Sequence, residues 1–301
     1  MVQAKLVPSF LNIPDDELAS LARIADQLFA SRPLLTQGHR PHRLLSGQGL
    51  EFLDHREYSE GDDLRNIDWR VTARSHKPQI RRHRDELTSE WYICLDGSAS
   101  MFWNRKEKWQ LACQLGIAFS YMLLHLGNRV GLMLYSDRID KIVPAAMGRA
   151  QFAHIARNLA GATAKSTSHQ SHLDGIATSL KPRTPVVIIS DFLLNDDLQG
   201  SMKKLITQDR QIHCIQVNSN AETSMTARGP YYLKDVETNN TRLVNLSDAY
   251  VEHSSRQLQQ HIEQLHHFCR KHGIIHTSCR TEKNWKDIIL QHLKGLTPSH
   301  V

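Results

Sequence analysis

The chain has 301 residues, 40% hydrophobic and 23% charged, which bounds it to one large domain or one large and one small and excludes a wholly disordered chain or a coiled-coil rod. Thirty-seven Lys and Arg against 31 Asp and Glu leave a net charge of +6, which permits an acidic partner without demanding one. Most of that excess is local, since the stretch from Asp62 to Arg84 holds seven cations and three acids.

Five widely spaced cysteines with no CxxC predict a reduced, cytoplasmic protein without a structural zinc knot. The opening MVQAKLVPSFLNIPDDE lacks the basic-then-apolar layout of a signal. The most apolar stretch, Leu111 to Leu126, is broken by Gln114, Ser120, Tyr121 and His125. It falls short of the ~20 apolar residues of a span and predicts a buried helix, with no membrane segment elsewhere.

In chain order, residues 1–35 predict one amphipathic helix: Pro14 suits its first turn, Asp15, Asp16 and Glu17 its positive end, and Leu18, Leu21, Ala25, Leu28 and Phe29 recur at helical spacing. Residues 36–87 show scattered glycines and charges without a period and predict an irregular or short-stranded arm. From residue 88 to 301 strands and helices alternate. Strands are expected over 91–95, 129–135, 139–143, 185–189, 211–217 and 274–278. Helices are expected over about 107–126, 150–159, 196–207, 254–271 and 285–293, with loops at 165–171 and 218–228. Apolar strands separated by helices predict an α/β fold, a doubly wound, mainly parallel sheet covered on both faces.

Ligands in such a sheet collect beyond the carboxyl ends of strands, at the switch in strand order. Two strands here end in aspartate: Asp96-Gly97-Ser98-Ala99-Ser100, and Ile189-Ser190-Asp191. One carboxylate with hydroxyls at i+2 and i+4, joined by a second carboxylate, is an all-oxygen set that suits Mg²⁺ or Mn²⁺ and not zinc. Aspartate and serine at strand ends are also ordinary turn and cap residues.

Asp96-x-Ser98-x-Ser100 after an apolar strand resembles the metal-ion-dependent adhesion site of von Willebrand factor A domains, as do Val130-Gly131-Leu132-x-x-Tyr135-Ser136 and the strand end at Asp191. In that family an intervening loop supplies a threonine ligand; the matching position here is Ser171, before His172 and Leu173. The arm sequence Tyr58-Ser-Glu-Gly61-Asp62-Asp63-x-Arg65-x-Ile67-Asp68-Trp69-x-x-x-Ala73-Arg74, with Gly47-x-Gly49-x-Glu51-Phe52 upstream, resembles the signature of domain-of-unknown-function family 58, in its short soluble form. The resemblance implies a non-enzymatic adaptor working with a MoxR-type AAA+ ATPase. It implies Mg²⁺ or Mn²⁺ on Asp96, Ser98, Ser100, Ser171 and Asp191, completed by an Asp or Glu of a protein partner.

In the arm, Asp62, Asp63, Arg65 and Asp68 can form a charge-assisted network around a turn at Gly61, and Ile67 and Trp69 can anchor the segment on the α/β domain. The segment reads as a structural clasp or as a docking surface. A rival from another class is a Mg²⁺-dependent nuclease or phosphatase using Asp62, Asp63 and Asp68 beside the basic run. The run Arg81-Arg82-His83-Arg84 has few aromatics nearby and so no stacking platform, and nucleic acid is not the expected partner. The many C-terminal histidines, among them His261, His266 and His267, read as a solvated helix face. Neither a nucleophile elbow nor a Walker-type loop is present.

Overall fold

A computed structural model of the chain describes residues 13–30, 51–59, 62, 64–75, 77–84, 89–102, 106–162, 173–193, 198–223, 228–234 and 241–295. They form two units, residues 39–88 and the remainder.

The smaller unit pairs two antiparallel strands, β1 (Glu51–Glu57) and β2 (Gln79–Arg84), around a short helix, α2 (Trp69–Ser75). The pairing sets Glu51 opposite Arg84 and Arg56 opposite Ile80 in the backbone register. Ile67, buried, bridges to Ile80, also buried.

The larger unit begins with α1 (Asp15–Ala30), whose first amides at Glu17 and Leu18 bond the Pro14 carbonyl at 3.0 and 3.1 Å. Its strands are β3 (Glu90–Asp96), β4 (Arg129–Tyr135), β5 (Ile139–Ala146), β6 (Val186–Ser190) and β7 (Ile212–Asn218), followed by a hairpin of β8 (Gly229–Lys234) and β9 (Thr241–Leu246), and by β10 (Ile275–Arg280). Its other helices are α3 (Glu107–His125), α4 (Gly148–Ala160), α5 (Asp174–Ser179), α6 (Leu198–Ile206), α7 (Asn220–Thr223), α8 (Asp248–Lys271) and α9 (Trp285–Lys294).

Six of these strands make one sheet in the order β10-β7-β6-β3-β4-β5, parallel throughout except at β5. Alternation along each strand divides the core in two. Ile93, Leu95, Val187, Ile189 and Ile215 face α1, α3, α4 and α9, while Cys94, Met133, Ile188 and Cys214 face α5, α6 and α8. The fold is therefore the mainly parallel α/β sheet, helices on both faces, that the apolar runs predict. From β3 the chain steps outward to β4 and β5, then crosses to β6, β7 and β10 on the other side, so the order reverses beside β3.

Gly131 in β4 lies opposite Tyr92 of β3, and a Cβ at Gly131 would sit 2.4 Å from the Tyr92 ring. Gly131→Ala should therefore cost about 1–3 kcal/mol as an overpacked strand pair. A urea midpoint unchanged from wild type would contradict that packing.

Two expectations are corrected. The helix expected from about Ser254 starts at Asp248, because the Ser247 hydroxyl accepts the Tyr250 amide at 3.2 Å and caps it earlier. The loop expected over 218–228 contains α7, and the β8–β9 hairpin beyond it was not anticipated. In that hairpin Tyr232 and Leu243 stand opposite each other, 75% and 58% exposed.

All five cysteines are free and buried, one each on β3, α3, β7, α8 and β10. Burial pushes the Cys279 thiol up to about 12 and raises Cys94, Cys113 and Cys214 as well. His213 and His292 are core residues, bonded Nδ1 to Nε2 at 2.9 Å and flanked by Gln211 and Thr277. His266 and His267 lie on the exposed face of α8 as expected, whereas half-buried His261 donates to the Phe192 carbonyl at 2.9 Å.

Candidate functional site

The carboxyl ends of β3 and β6 are adjacent, which brings Asp96 and Asp191 together from 95 positions apart. Asp96 is fully buried. Its Oδ1 accepts the Ser98 amide at 2.8 Å and its Oδ2 the Ser190 hydroxyl at 2.6 Å. The Ser98 and Ser100 hydroxyls lie 3.1 Å apart on the loop that follows, and the Gly97 amide ties that loop to the Tyr135 carbonyl at 2.6 Å. Burial, reinforced by the Asp191 charge, pushes the Asp96 carboxyl up to about 6 despite the Ser190 and Ser98 hydrogen bonds.

Asp191, 1% exposed, accepts the Leu193 amide on Oδ1 at 3.2 Å. On Oδ2 it accepts the ammonium of Lys108 at 2.7 Å. That ammonium, itself 1% exposed and carried on the first turn of α3, also donates to Glu222 Oε1 of α7 at 2.5 Å. Glu222 Oε2 in turn accepts the Ser219 amide at 2.9 Å. Burial alone would push Lys108 down, but Asp191 and Glu222 outweigh it and hold the ammonium above its usual range. Backbone strain flanks the pair: Phe192, next to Asp191, has φ +53°, and Lys106, two residues before Lys108, has φ +64°. Bulky residues enter the left-handed region only where surrounding structure over-determines them.

Four of the five candidate metal ligands thus stand at one place, and Ser171 lies outside the described residues. Asp96, Ser98 and Ser100 offer oxygen only, the chemistry of a hard cation. Asp191 and Glu222 share the Lys108 ammonium and Asp96 adds a third carboxylate beside Asp191, so two negative charges remain, which one divalent ion balances. The residues fit such an ion. Among the described residues, no three His, Cys, Asp or Glu side chains form a metal-binding group, so any ion here depends on hydroxyl, water or partner oxygens.

Lys108 and Glu222 were not anticipated. Lys108 did leave a signal. It shares a helical stripe with buried Leu111, Ala112 and Leu115, where a cation requires a buried counter-charge. Glu222 left none, because it is 114 positions from Lys108.

Within the smaller unit, Asp68 caps α2. Its Oδ1 accepts the Arg70 and Val71 amides at 3.0 and 3.3 Å, while Oδ2 accepts Arg81 at 2.8 Å and pairs with His55 at 3.1 Å. The Arg81 guanidinium, then His55, hold its carboxyl well below the usual range. Asp62 accepts Arg56 at 2.5 Å and the Ser59 amide at 2.9 Å, which lowers it too. The cations that hold these acids therefore come from β1 and β2. Trp69 is 69% exposed, and Arg65 and Arg74 are exposed as well. Half-buried Tyr58 bonds the Pro78 carbonyl through its amide at 2.9 Å. Gly61 and Asp63 lie outside the described residues. Asp68→Ala should raise amide hydrogen exchange at Arg70 and Val71 several-fold without changing exchange in β3 or β6; equal exchange in α2 would refute the cap.

A family model described as "Protein of unknown function DUF58" matches residues 54–266. Uncharacterized protein Mb1516 of Mycobacterium bovis is 27% identical over 287 residues, covering 92% of this chain and 90% of its own length. Among solved structures, an aerotolerance-related membrane protein from Bacteroides fragilis aligns over 68% of this chain and 99% of its own, with 15% identity and a TM-score of 0.42. The conserved hypothetical protein BatB from Bacteroides thetaiotaomicron aligns over 68% and 97%, with 13% identity and a TM-score of 0.39.

Proposed function

We propose, on the footing that this chain belongs to the DUF58 family, that it is a non-enzymatic protein-interaction module whose contact depends on a divalent cation. Asp96, Ser98 and Ser100 would hold Mg²⁺ or Mn²⁺, with Ser171 and Asp191 contributing from neighbouring loops. The ion would supply a positive centre with an open position for an Asp or Glu of the partner. The observation that carries this reading is the convergence of the Asp96, Ser98, Ser100 and Asp191 oxygens at the switch in strand order, where α/β sheets bind their ligands.

By the family resemblance, the partner is a MoxR-type AAA+ ATPase or its client, in the cytoplasm. No helix among the described residues is long and apolar enough to cross a membrane. The enzymatic alternative draws no support from Asp62 and Asp68, which are committed to Arg56, Arg81 and His55. Those pairs favour a structural clasp.

Thermal unfolding with added Mg²⁺ tests the proposal. A ligand confined to the folded state adds about 2.7 kcal/mol at 100 times its dissociation constant, a rise of several degrees here. Wild type should show it and Asp96→Ala should not, and capture of an acidic partner should vanish with EDTA. A shift that survives Asp96→Ala would sink the reading.

A further inference from the structure

The family resemblance does not account for Lys108. Its ammonium lies inside the candidate site, bonded to the carboxylate expected to serve the ion and to Glu222 from a third element. Such a group acts in one of two ways. It can be a structural strut, whose loss loosens the site and weakens any ligand. It can instead be a resident cation that already neutralises Asp191, leaving a mobile ion less charge to bind.

The geometry favours the second role. Asp191 Oδ1 is engaged by the Leu193 amide and Oδ2 by Lys108, so an ion drawing on Asp191 has to share or displace the ammonium. Asp96, by contrast, accepts the Ser98 amide and the Ser190 hydroxyl, and neither bond is to Lys108. Glu222 anchors Lys108 from the far side through a bond to the Ser219 amide. The ammonium is thus fixed between two carboxylates and does not swing free.

We propose that Lys108 is an internal competitor of the divalent ion, a positioning residue that holds Asp191 and keeps the site's intrinsic affinity low, so that firm binding waits on a carboxylate from the partner. This rests on the divalent-cation reading above. A low intrinsic affinity makes the ion and the partner bind interdependently: each completes a site that the other leaves unfinished. The two free energies are coupled, and the coupling is reciprocal.

The test is calorimetric titration of Mg²⁺ and Mn²⁺ into wild type, Lys108→Met, Lys108→Met/Glu222→Gln and Lys108→Met/Asp96→Ala. With the ammonium gone, Asp191 is exposed to the ion, and the dissociation constant should fall at least tenfold. A strut would give the opposite sign. The variant that also carries Glu222→Gln has the same net charge as wild type and spares the fold an unpaired glutamate, so it should show the gain even if Lys108→Met alone does not fold. Loss of the gain on adding Asp96→Ala places the ion at this site. Unchanged or weaker binding in both Lys108 variants, with binding in wild type intact, overturns the role of Lys108 and leaves the proposed function standing. Absence of binding in wild type and in every Lys108 variant overturns both.

Discussion

Acidification from pH 7 to pH 5 should remove about 2 kcal/mol of folding stability through His213, with a further loss through His292. Both imidazoles are buried in the sheet's first core layer and bonded to each other, with Trp91 edge-on to His213 and Phe119 edge-on to His292. Burial lowers His213 from 6.5 to about 3; it also takes His292 well below its usual value, helped by the neighbouring His213 and His276. As pH falls, the unfolded chain takes up these protons first. The stability is therefore complete above pH 6.5 and is lost progressively toward pH 3. At 1.36 kcal/mol per unit, His213 loses about 2 kcal/mol by pH 5, and His292 loses stability in the same direction. His276, lowered to about 4 mainly by burial, adds to the loss, whereas Asp96, raised to about 6, returns about 1 kcal/mol as it protonates. Urea midpoints at the two pH values should separate by less in His213→Asn than in wild type. An equal separation would mean that the core histidines are not the groups that titrate.

The second large effect is at Asp191. Asp191→Leu leaves the buried Lys108 ammonium with Glu222 as its carboxylate partner and should cost about 3 kcal/mol, since removing one member of a buried pair strands the other charge. Lys108→Met/Asp191→Leu should recover part of that loss, since two apolar side chains replace two charges, the remainder staying with Glu222, which then lacks its ammonium. Denaturation in EDTA isolates this from any bound ion. Losses that simply add in the double variant would show that the two residues do not act as a pair.

The parallel sheet was legible because its strands are buried on both faces. Arg129–Tyr135 reads as an unbroken apolar run after its first residue, and it starts and stops where expected. The β8–β9 hairpin was not, because its cross-strand apolar pair faces solvent and shows no burial-driven alternation. The early start of α8 was hidden for a related reason. Its cap at Ser247 precedes the apolar stripe, and the first turns of the helix carry Glu252, His253 and Arg256 on exposed positions.

At the site, Asp96, Ser98, Ser100 and Asp191 could be picked out from local sequence, since strand ends and i+2, i+4 spacing are local features. Their electrostatic surroundings could not. Lys108 reaches Asp191 across 83 positions and Glu222 across 114, distances over which only the fold decides who meets whom. The arm shows the same division. Asp68 was identifiable as a structural acid, but its partners, His55 and Arg81, each lie 13 positions away on strands with no clear period.

The distribution of thiols gives the molecule a built-in gauge of its own opening. Cys94, Cys113, Cys214, Cys269 and Cys279 sit on five different elements, every one sealed from solvent. An alkylating reagent added to the native protein meets none of them until a strand or helix detaches. The order in which the five sites become labelled would report which part of the sheet lets go first, residue by residue, in the unmodified chain. Peptide mass spectrometry after brief pulses of iodoacetamide would turn that order into a map of the weakest seams in the fold.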